Sequence, residues 1–321
     1  MVELVIGVDV GGTKIAAGLV DCYANILSRQ ITHSHSGAPP EIVTETIVQI
    51  VNDINAEAHK LNGDIKGIGI GFAGHINGEI GTVLTNSNLP GWDNHPLCSI
   101  LKQRLNLPVL LENDANCAAW GEYRYGAGRT SRHMCYVTFS TGFGMGIIID
   151  GRLYRGACGT AGEIGHTVIE PNGPKCSCGK HGCLMCYACG MALDQMARDS
   201  IVSEESSMLK EMCCDCPDHI PAELISKAAQ EGDLLAIRLL DIAGGYFGLG
   251  LSTIVQVLNP DTIVIGGGLA HIGPLLLDPC IRSLNANIHP VLLNSARILL
   301  SELWEDAGLL GAASLMWESL S

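Results

Sequence analysis

The stretch DVGGTK at residues 9–14 joins two apolar runs, LVIGVDV at 4–10 and AAGLV at 16–20. Adjacent glycines carry no Cβ, so their backbone N–H groups can approach a phosphate closely, and Thr13 can add a hydroxyl. A P-loop instead needs Gly-Lys-Ser/Thr at the start of a helix, whereas Lys14 here precedes a second strand-like run. DVGGTK therefore predicts a phosphate-binding loop or an ordinary hairpin turn, and on its own the turn is the better interpretation.

Two further glycine-rich loops occupy the same kind of position. STGFGMG at 140–146 follows the apolar run CYVTF, and GGG at 266–268 follows TIVI and precedes LAHIGPLL, a predicted helix. Three glycine loops that each follow a strand are poorly explained by turns alone. Together they could surround a nucleoside triphosphate.

Strand-like and helix-like stretches alternate along the chain. Apolar β-type runs occur at 4–10, 65–72, 108–114, 135–142, 262–268 and 296–303, and helical spacing occurs at 40–60, 115–125, 191–212 and 221–258. This alternation predicts an α/β fold with layered sheets. Two hairpins, at 18–30 and at 146–156 around Asp150-Gly151, give the chain the same strand–turn–strand plan twice.

Composition limits the classes of protein that this chain can belong to. The 321 residues suffice for two domains, and 47% hydrophobic with 16% charged residues indicates a well-buried globular protein. A net charge of −14 argues against nucleic-acid binding, and we expect neither a membrane span nor a signal peptide. Fourteen cysteines without a secretion signal favour reduced thiols or metal binding, so we expect a cytoplasmic protein.

A candidate catalytic acid lies in LLENDANCAAWGE at 110–122, where a strand is predicted to end and a helix to begin. A carboxylate at such a junction, here Asp114, can point into a cleft and accept a proton. The alternative is a structural N-cap, because Asp or Asn at this position can satisfy the free N–H groups of the first helical turn. From this segment alone, the N-cap is favoured.

A candidate metal site is formed by one histidine and three cysteines. His166, Cys176, Cys178 and Cys183 have the spacing H-x9-C-x-C-x4-C, and three thiolates with one imidazole make a closed tetrahedral set typical of structural zinc. Closed coordination leaves no position for a substrate, so the metal is expected to orient the histidine rather than to catalyse. Cys186, Cys189 and the cysteines within 213–216 lack a complementary ligand set, and we expect no second site there.

The sequence resembles the ROK family (repressors, open reading frames and kinases) of actin-like ATPase sugar kinases. The resemblance rests on DVGGTK, ENDANCAAWGE (112–122), TFSTGFGMG (138–146), GTAGEIGH (159–166), CSCGKHGC (176–183) and NPDTIVIGGG (259–268), which span nearly the whole chain. It implies two α/β domains with a duplicated ribonuclease-H-like core around an interdomain cleft. The small domain would comprise 1–118, completed by a C-terminal helix at 306–321, and the large domain 119–305 with the zinc site.

The resemblance also implies ATP, Mg²⁺ and structural Zn²⁺, and it assigns roles to individual residues. Asp114 would be the general base that takes the proton from the attacking sugar hydroxyl. The sugar contacts would come from Gly74, Asn88, Asn113, Asp114, Glu163 and His166. The nucleotide and its metal would be bound by Asp9, Gly11, Gly12, Thr13, Lys14, Thr141, Gly142, Gly144, Gly266, Gly267 and Gly268. Asn88 is equally compatible with turn chemistry before Leu-Pro-Gly.

One residue departs from the family pattern. The family commonly has Glu two residues after the last zinc cysteine, where it contacts the anomeric end of the sugar, but this chain has Met185. A thioether cannot accept two strong hydrogen bonds or carry charge. A weak hexokinase, a sugar with a different or blocked end group, and replacement of the carboxylate by a neighbour or water are all compatible with Met185.

The resemblance predicts an ATP-dependent hexose kinase, with C6 of glucose as the first expectation. N-acetylmannosamine, N-acetylglucosamine, allose, a glycoside or a cyclitol are alternative substrates. A sugar-sensing regulator is the alternative from another class. DVGGTK at residue 9 leaves no space for an N-terminal helix-turn-helix, so a DNA-binding repressor is not expected. A homodimer is expected, because dimers are common in the family and the 221–258 helices have apolar faces.

Overall fold

The computed structural model describes residues 2–35, 37–85, 91–203, 207–213 and 218–320. The chain divides into two units. The first unit consists of Met1–Tyr136, Met145–Gly162 and Ser301–Ser321, and the second unit of Val137–Gly144 and Glu163–Leu300.

The first 125 residues alternate strands with helices. They form β1 (Val2–Val10), β2 (Lys14–Val20), β3 (Ile26–His33), α1 (Pro40–Lys60), β4 (Gly63–Phe72), β5 (His75–Asn77), β6 (Thr82–Thr85), α2 (Leu97–Leu105), β7 (Val109–Asn113) and α3 (Asp114–Tyr125). The first sheet has the strand order β3-β2-β1-β4-β7, with antiparallel pairing of β1, β2 and β3 and parallel pairing of β1 with β4 and of β4 with β7. Parallel pairing brings the carboxyl ends of β1, β4 and β7 to one edge.

The core of the first unit follows from the apolar spacing of α1. Val43, Ile47, Val51 and Ile54 recur at helical intervals and are all buried against the sheet. The helix begins with Pro40 at a position where the missing N–H costs nothing. The predicted helix at 40–60 is confirmed.

The rest of the chain forms the second sheet and most of the remaining helices. Its elements are β8 (Met134–Phe139), β9 (Phe143–Ile149), β10 (Arg152–Leu153), α4 (Met185–Ala188), α5 (Gly190–Ser203), α6 (Met208–Met212), α7 (Ala222–Gln230), α8 (Leu234–Leu258), β11 (Thr262–Gly266), α9 (Pro274–Asn287), β12 (Arg297–Leu300) and α10 (Ala307–Ser319). The second sheet has the order β10-β9-β8-β11-β12. β9 and β10 pair antiparallel across Asp150 and Gly151, whose positive φ angles of 50° and 72° fit the predicted hairpin turn.

Three predicted helical stretches are interrupted. The 221–258 stretch divides into α7 and α8 at Gly232, which has φ +93°, and Asp233 then caps α8 by accepting a hydrogen bond from Ala236 N at 2.8 Å. The 191–212 stretch likewise divides into α5 and α6. The helix predicted after Gly268 is a short 3₁₀ turn to Ile272, because Gly273 reverses the chain before α9 begins.

Helix α10 packs on the first sheet through glycines. A Cβ at Gly69 would lie 1.9 Å from Ala312 O, and a Cβ at Gly311 would lie 1.7 Å from Cys117 O in α3. Such close approach is possible only without side chains, so glycine is needed at both positions. The same packing brings the first turn of α10, at Gly308, against the carboxylate of Asp9.

Among the described helices, α8 alone is long and apolar enough to cross a membrane. Of the most apolar 18-residue segment of this helix, 56% is buried within the protein. Gly244 and Gly248 let it approach α9 closely, since Cβ atoms there would lie 2.4 Å from Leu276 O and 2.3 Å from Cys280 O. These contacts explain its composition as that of a core helix.

Candidate active site and metal centre

The DVGGTK loop connects β1 to β2 and is fixed from one side. Gly11 N donates to Lys14 O at 3.0 Å, and Ser34 anchors the loop by donating from Oγ to Gly12 O (2.7 Å) and from N to Thr13 O (3.1 Å). A Cβ placed on Gly12 would meet no described atom within 4 Å. The loop is thus rigid yet open, as a phosphate site requires. No sequence pattern pointed to the anchoring role of Ser34.

Asp9 is a half-buried carboxyl near the end of β1. Burial, followed by the negative charge of Asp114, raises its pKa from 3.8 to about 7, although Lys14 and Arg29 oppose this. An acid of this kind loses its proton readily when a cation arrives. Asp9 is therefore suited to positioning a divalent cation, which is the role that the resemblance implies.

Asp114 is the first residue of α3, and the preceding residue caps the helix. Asn113 Oδ1 accepts from Asn116 N at 3.1 Å, so the N-cap in the LLENDAN segment is Asn113. Asp114 Oδ1 accepts from Asn113 Nδ2 (3.0 Å) and from Ala115 N (2.9 Å). These bonds fix the plane of the Asp114 carboxylate. Because Asn113 is the N-cap, the Asp114 carboxylate is not used for capping.

Gly74 belongs to the same cluster. Its carbonyl oxygen accepts a hydrogen bond from Asn113 Nδ2 at 3.2 Å, and its φ of 135° is accessible mainly to glycine. The structure thus brings Gly74, Asn113 and Asp114 together in the first unit. Asn88, the other predicted sugar contact from this part of the chain, lies outside the described residues.

Two residues next to this cluster were missed by the sequence reasoning. Glu112, only 2% exposed, accepts from Arg155 Nε at 2.6 Å and from Asn116 Nδ2 at 3.0 Å. Glu112 lies in the quoted ENDAN segment and Arg155 in the predicted second hairpin, but no pattern linked residues that are 43 positions apart.

The other two glycine loops meet within the second unit. A Cβ on Gly267, whose φ is +87°, would lie 2.5 Å from Phe139 O, the residue before the STGFGMG loop. Ser140 O also accepts from Gly190 N at 2.8 Å, so the N-terminus of α5 holds this loop. Thr141 and Gly268 are exposed, whereas Gly266 is buried in β11 and serves the strand. Gly142 and Gly144 are half-exposed.

His166 and the three cysteines form one cluster in the second unit. Their ligand atoms all lie within 4.8 Å of one another. The His166 Nδ1–Cys176 Sγ and Cys178 Sγ–Cys183 Sγ distances are both 3.6 Å. Tetrahedral Zn²⁺ with its usual bond lengths separates sulfur ligands by about 3.8 Å, so the four donors fit this ion.

Neighbouring groups shift the pKa values of two thiols in this cluster in opposite directions. Burial opposes ionisation of Cys176, but hydrogen bonds led by those from Cys178 lower its pKa to about 6. Burial, followed by the bonds and charges of its neighbours, raises the pKa of Cys183 to about 12. The Cys176 thiolate thus accepts hydrogen bonds from its neighbours. A bound divalent cation would take the place of the shared protons.

The turn that carries His166 also carries Glu163. Both belong to one 3₁₀ turn, where His166 N donates to Glu163 O at 3.1 Å and His166 Nε2 lies 4.0 Å from Glu163 Oε2. The imidazole therefore faces the thiols with Nδ1 and the exposed Glu163 with Nε2. Met185 begins α4 beside this turn, 3.7 Å from where a Cβ on Gly165 would lie.

The other cysteines that the structure describes form no second group. Among the described residues, the only set of three or more potential metal ligands is that of His166. Cys189 is fully buried and its thiol donates to Met185 O at 2.9 Å, and Cys186 is half-buried. Of the 213–216 segment, only Cys213 lies within the described residues.

The chain is similar to several known proteins. The chain is 39% identical over 323 residues to the glucokinase of Streptomyces coelicolor, covering 98% of both chains. It is 32% identical over 314 residues to the xylose repressor of Bacillus spizizenii, covering 98% of this chain and 77% of the repressor. The crystal structure of a ROK glucokinase from Streptomyces griseus, in complex with glucose and AMPPNP, superposes with a TM-score of 0.86 at 37% identity, covering 98% and 99% of the two chains.

These relatives confirm the predicted α/β class with its duplicated actin-like ATPase plan. The sequence profile of the ROK family matches residues 5–319, nearly the whole chain. The protein therefore belongs to the ROK family.

Proposed function

We propose that this protein is an ATP-dependent hexose kinase that phosphorylates the C6 hydroxyl of glucose. The observation that carries the proposal is Asp114, a carboxylate held by two hydrogen bonds at the start of α3 and close enough to Asp9 to raise the pKa of that residue. The glucokinases named above support the choice of reaction and substrate. Asp114 would accept the hydroxyl proton as the oxygen attacks the γ-phosphoryl group.

The nucleotide would be bound by the three glycine loops. In the first unit, Asp9 would orient hydrated Mg²⁺, and Gly11, Gly12 and Thr13 would offer donors to phosphate oxygens, with Lys14 nearby. In the second unit, the donors would come from Thr141, Gly142, Gly144, Gly267 and Gly268, with Gly266 placing the last loop. Magnesium supplies charge neutralisation on the phosphate oxygens, and the open, rigid backbone of these loops fits such a group.

The sugar would be held by short polar side chains and by the backbone of Gly74. Gly74, Asn88 and Asn113 would join Asp114, and Glu163 and His166 would contribute from the zinc-bearing turn. Structural Zn²⁺ on His166 Nδ1 would fix the tautomer, so that Nε2 stays directed toward Glu163 and the substrate. We also propose a soluble cytoplasmic enzyme that does not bind nucleic acid.

We further propose a homodimer. Helix α8 exposes Leu234, Ile237, Ile242 and Val257, with exposed fractions from 36% to 81%, and apolar side chains of this kind favour association. Light scattering after size-exclusion chromatography measures the state directly. A single species at the 34.0 kDa of one chain would refute the dimer.

ATP turnover against a sugar panel tests the function. Glucose, N-acetylmannosamine, N-acetylglucosamine, allose and a β-glucoside would each be supplied with MgATP, and ADP release would be measured. Glucose is expected to give the highest kcat/KM. Sugar-independent ADP release, or none with any sugar, would refute the kinase.

A sugar-sensing regulator is the second candidate, because the xylose repressor is 32% identical to this chain. It predicts sugar binding without turnover. Calorimetric titration with glucose and xylose, run beside the turnover panel, separates the two candidates. Binding without ADP release would favour the sensor.

A further inference from the structure

Glu112 is a buried carboxylate with one cationic partner. Its side chain is 3% exposed, and Glu112 Oε2 accepts from Arg155 Nε at 2.6 Å. Removing the Arg155 guanidinium would leave the negative charge of Glu112 buried and uncompensated, which is costly. The pair should therefore matter more than a salt bridge between two exposed side chains.

The second carboxylate oxygen of Glu112 binds one residue before and one residue after the proposed base in the sequence. Glu112 Oε1 accepts from Asn113 N at 2.9 Å and from Asn116 Nδ2 at 3.0 Å. Asn113 in turn donates to Asp114 Oδ1. A continuous path of hydrogen bonds therefore leads from Arg155 through Glu112 and Asn113 to Asp114.

Arg155 is itself fixed by the loop that follows β10. Arg155 O accepts from Ala161 N at 3.1 Å and closes this loop. Gly162, with φ +102°, lies so close to β9 that a Cβ would be 1.9 Å from Met145 O. The guanidinium thus reaches Glu112 from a backbone with little freedom, as a positioning group requires.

We propose that Arg155 is a positioning residue for Asp114, acting through Glu112. The inference rests on the proposed kinase function for its effect on rate, but the path of hydrogen bonds exists independently of it. Phosphoryl transfer depends on the placement of the base, and a misplacement of about 1 Å can lower the rate about 10²-fold.

The chain offers a matched control. Arg104 and Glu45 form another Arg–Glu pair in the first unit, 2.9 Å apart, and the Arg104 side chain is 47% exposed compared with 48% for Arg155. Glu45, however, is 60% exposed and lies on α1, whereas Glu112 is buried next to Asn113. Exposed pairs of this kind contribute little, so Arg104→Met measures the general effect of losing such a pair.

Kinetics of Arg155→Met, Arg155→Lys and Arg104→Met provide the first test. Arg155→Met should lower kcat about 10²-fold with the KM for ATP unchanged, Arg155→Lys should retain part of the rate, and Arg104→Met should match the wild type. Glu112→Gln combined with Arg155→Met should be no worse than either single variant, since both interrupt one path. Thermal melts record the folded fraction of each variant. Unchanged kcat for Arg155→Met, or a loss that equals its unfolded fraction, would overturn the proposal.

Hydrogen exchange provides a test that does not need turnover. Arg155→Met should accelerate amide exchange in a peptide covering 112–118, and Arg104→Met should not. If the wild type phosphorylates no sugar, the kinase function fails while this measurement still decides the role of Arg155. Equal exchange in both variants would overturn the proposal.

Discussion

The two five-stranded sheets share a plan but end in different chemistry. Each begins with an antiparallel outer pair and finishes with a parallel pair, β4 and β7 in the first sheet and β11 and β12 in the second. In the first sheet, a carboxylate lies near the end of two strands, Asp9 in β1 and Asp114 directly after β7. Those of the second sheet end in the glycine loops at 140–144 and 266–268. The two sheets thus share a topology, but the residues at their strand ends differ, and we propose different functions for them.

The difference predicts which half of the protein is sensitive to charge. In the first unit, Asp9 and Asp114 oppose each other electrostatically, and Glu112 needs Arg155. In the second unit, the proposed binding groups are backbone N–H groups and the thiols clustered with His166. Substitutions in the first unit should therefore impair activity by removing a catalytic charge. Those in the second unit should impair it by removing a metal that would stabilise the local structure.

The largest effect is expected in the first half, from Asp114→Asn. The amide keeps the shape but cannot accept the hydroxyl proton, so kcat should fall about 10³-fold. A coupled assay of ADP release measures this, with Asp199→Asn on the exposed face of α5 as a control for losing one carboxylate. Near-wild-type turnover would remove Asp114 from the role of base, whereas unchanged melting and zinc content show that the variant is folded.

The sequence predicted the repeated plan well because its signals are local. Apolar runs, glycine loops and the Asp150-Gly151 turn each act over a few residues, and the strands and α1 followed them. The clustering of His166 with Cys176, Cys178 and Cys183 was also readable, since the three cysteines lie within eight residues of sequence. The Arg155–Glu112 pair was not readable, because the two residues are 43 positions apart and only the folded chain brings them together.

The 3₁₀ turn after Gly268 shows another limit. The apolar letters of LAHIGPLL match a helix, but Gly273 at φ +72° breaks it, and α9 begins only at Pro274. Likewise, Gly308 and Gly311 in α10 look like weak points of a helix in sequence. Their purpose, close packing against Asp9 and α3, depends on a partner that lies far away in the chain.

In the second half, the largest effect is expected from Cys183→Ser. This buried ligand cannot be replaced by a hydroxyl, so zinc measured by atomic emission should fall from about one equivalent to near zero. Because the metal would fix His166, kcat/KM for glucose should drop about 10²-fold. Cys280→Ser, another fully buried thiol outside the cluster, controls for loss of packing and should retain its metal. A Cys183→Ser protein that keeps full zinc would contradict the assigned ligands.

The carboxylate half should also respond to pH through Asp9. Since its pKa is about 7, affinity for MgATP should weaken about tenfold for each pH unit below 7, as a proton competes with the cation. Asp9→Asn should abolish this dependence. If the affinity of the wild type for MgATP does not change with pH, Asp9 does not interact with the metal.

The same raised pKa has a consequence for stability. Folding disfavours the ionised form, so Asp9 contributes a cost that is absent below its unfolded pKa of 3.8, grows as the pH rises, and is complete above about 7. Asp9→Asn should therefore raise the melting temperature more at pH 8 than at pH 5. The opposite order would mean that Asp9 is stabilised as a charge.

The smallest effect is expected from Met185→Glu, which adds a carboxylate to the second unit. Met185 lies beside the turn that bears Glu163 and His166, and its thioether accepts no strong hydrogen bond. A glutamate there should strengthen glucose binding by about 1 kcal/mol, or roughly fivefold in KM, with kcat little changed. Met191→Glu, at an exposed site in the first turn of α5, controls for the added charge. If Met185→Glu instead weakens glucose and leaves a β-glucoside unaffected, the methionine is adapted to a sugar whose anomeric end is blocked, and the panel of substrates would then identify it.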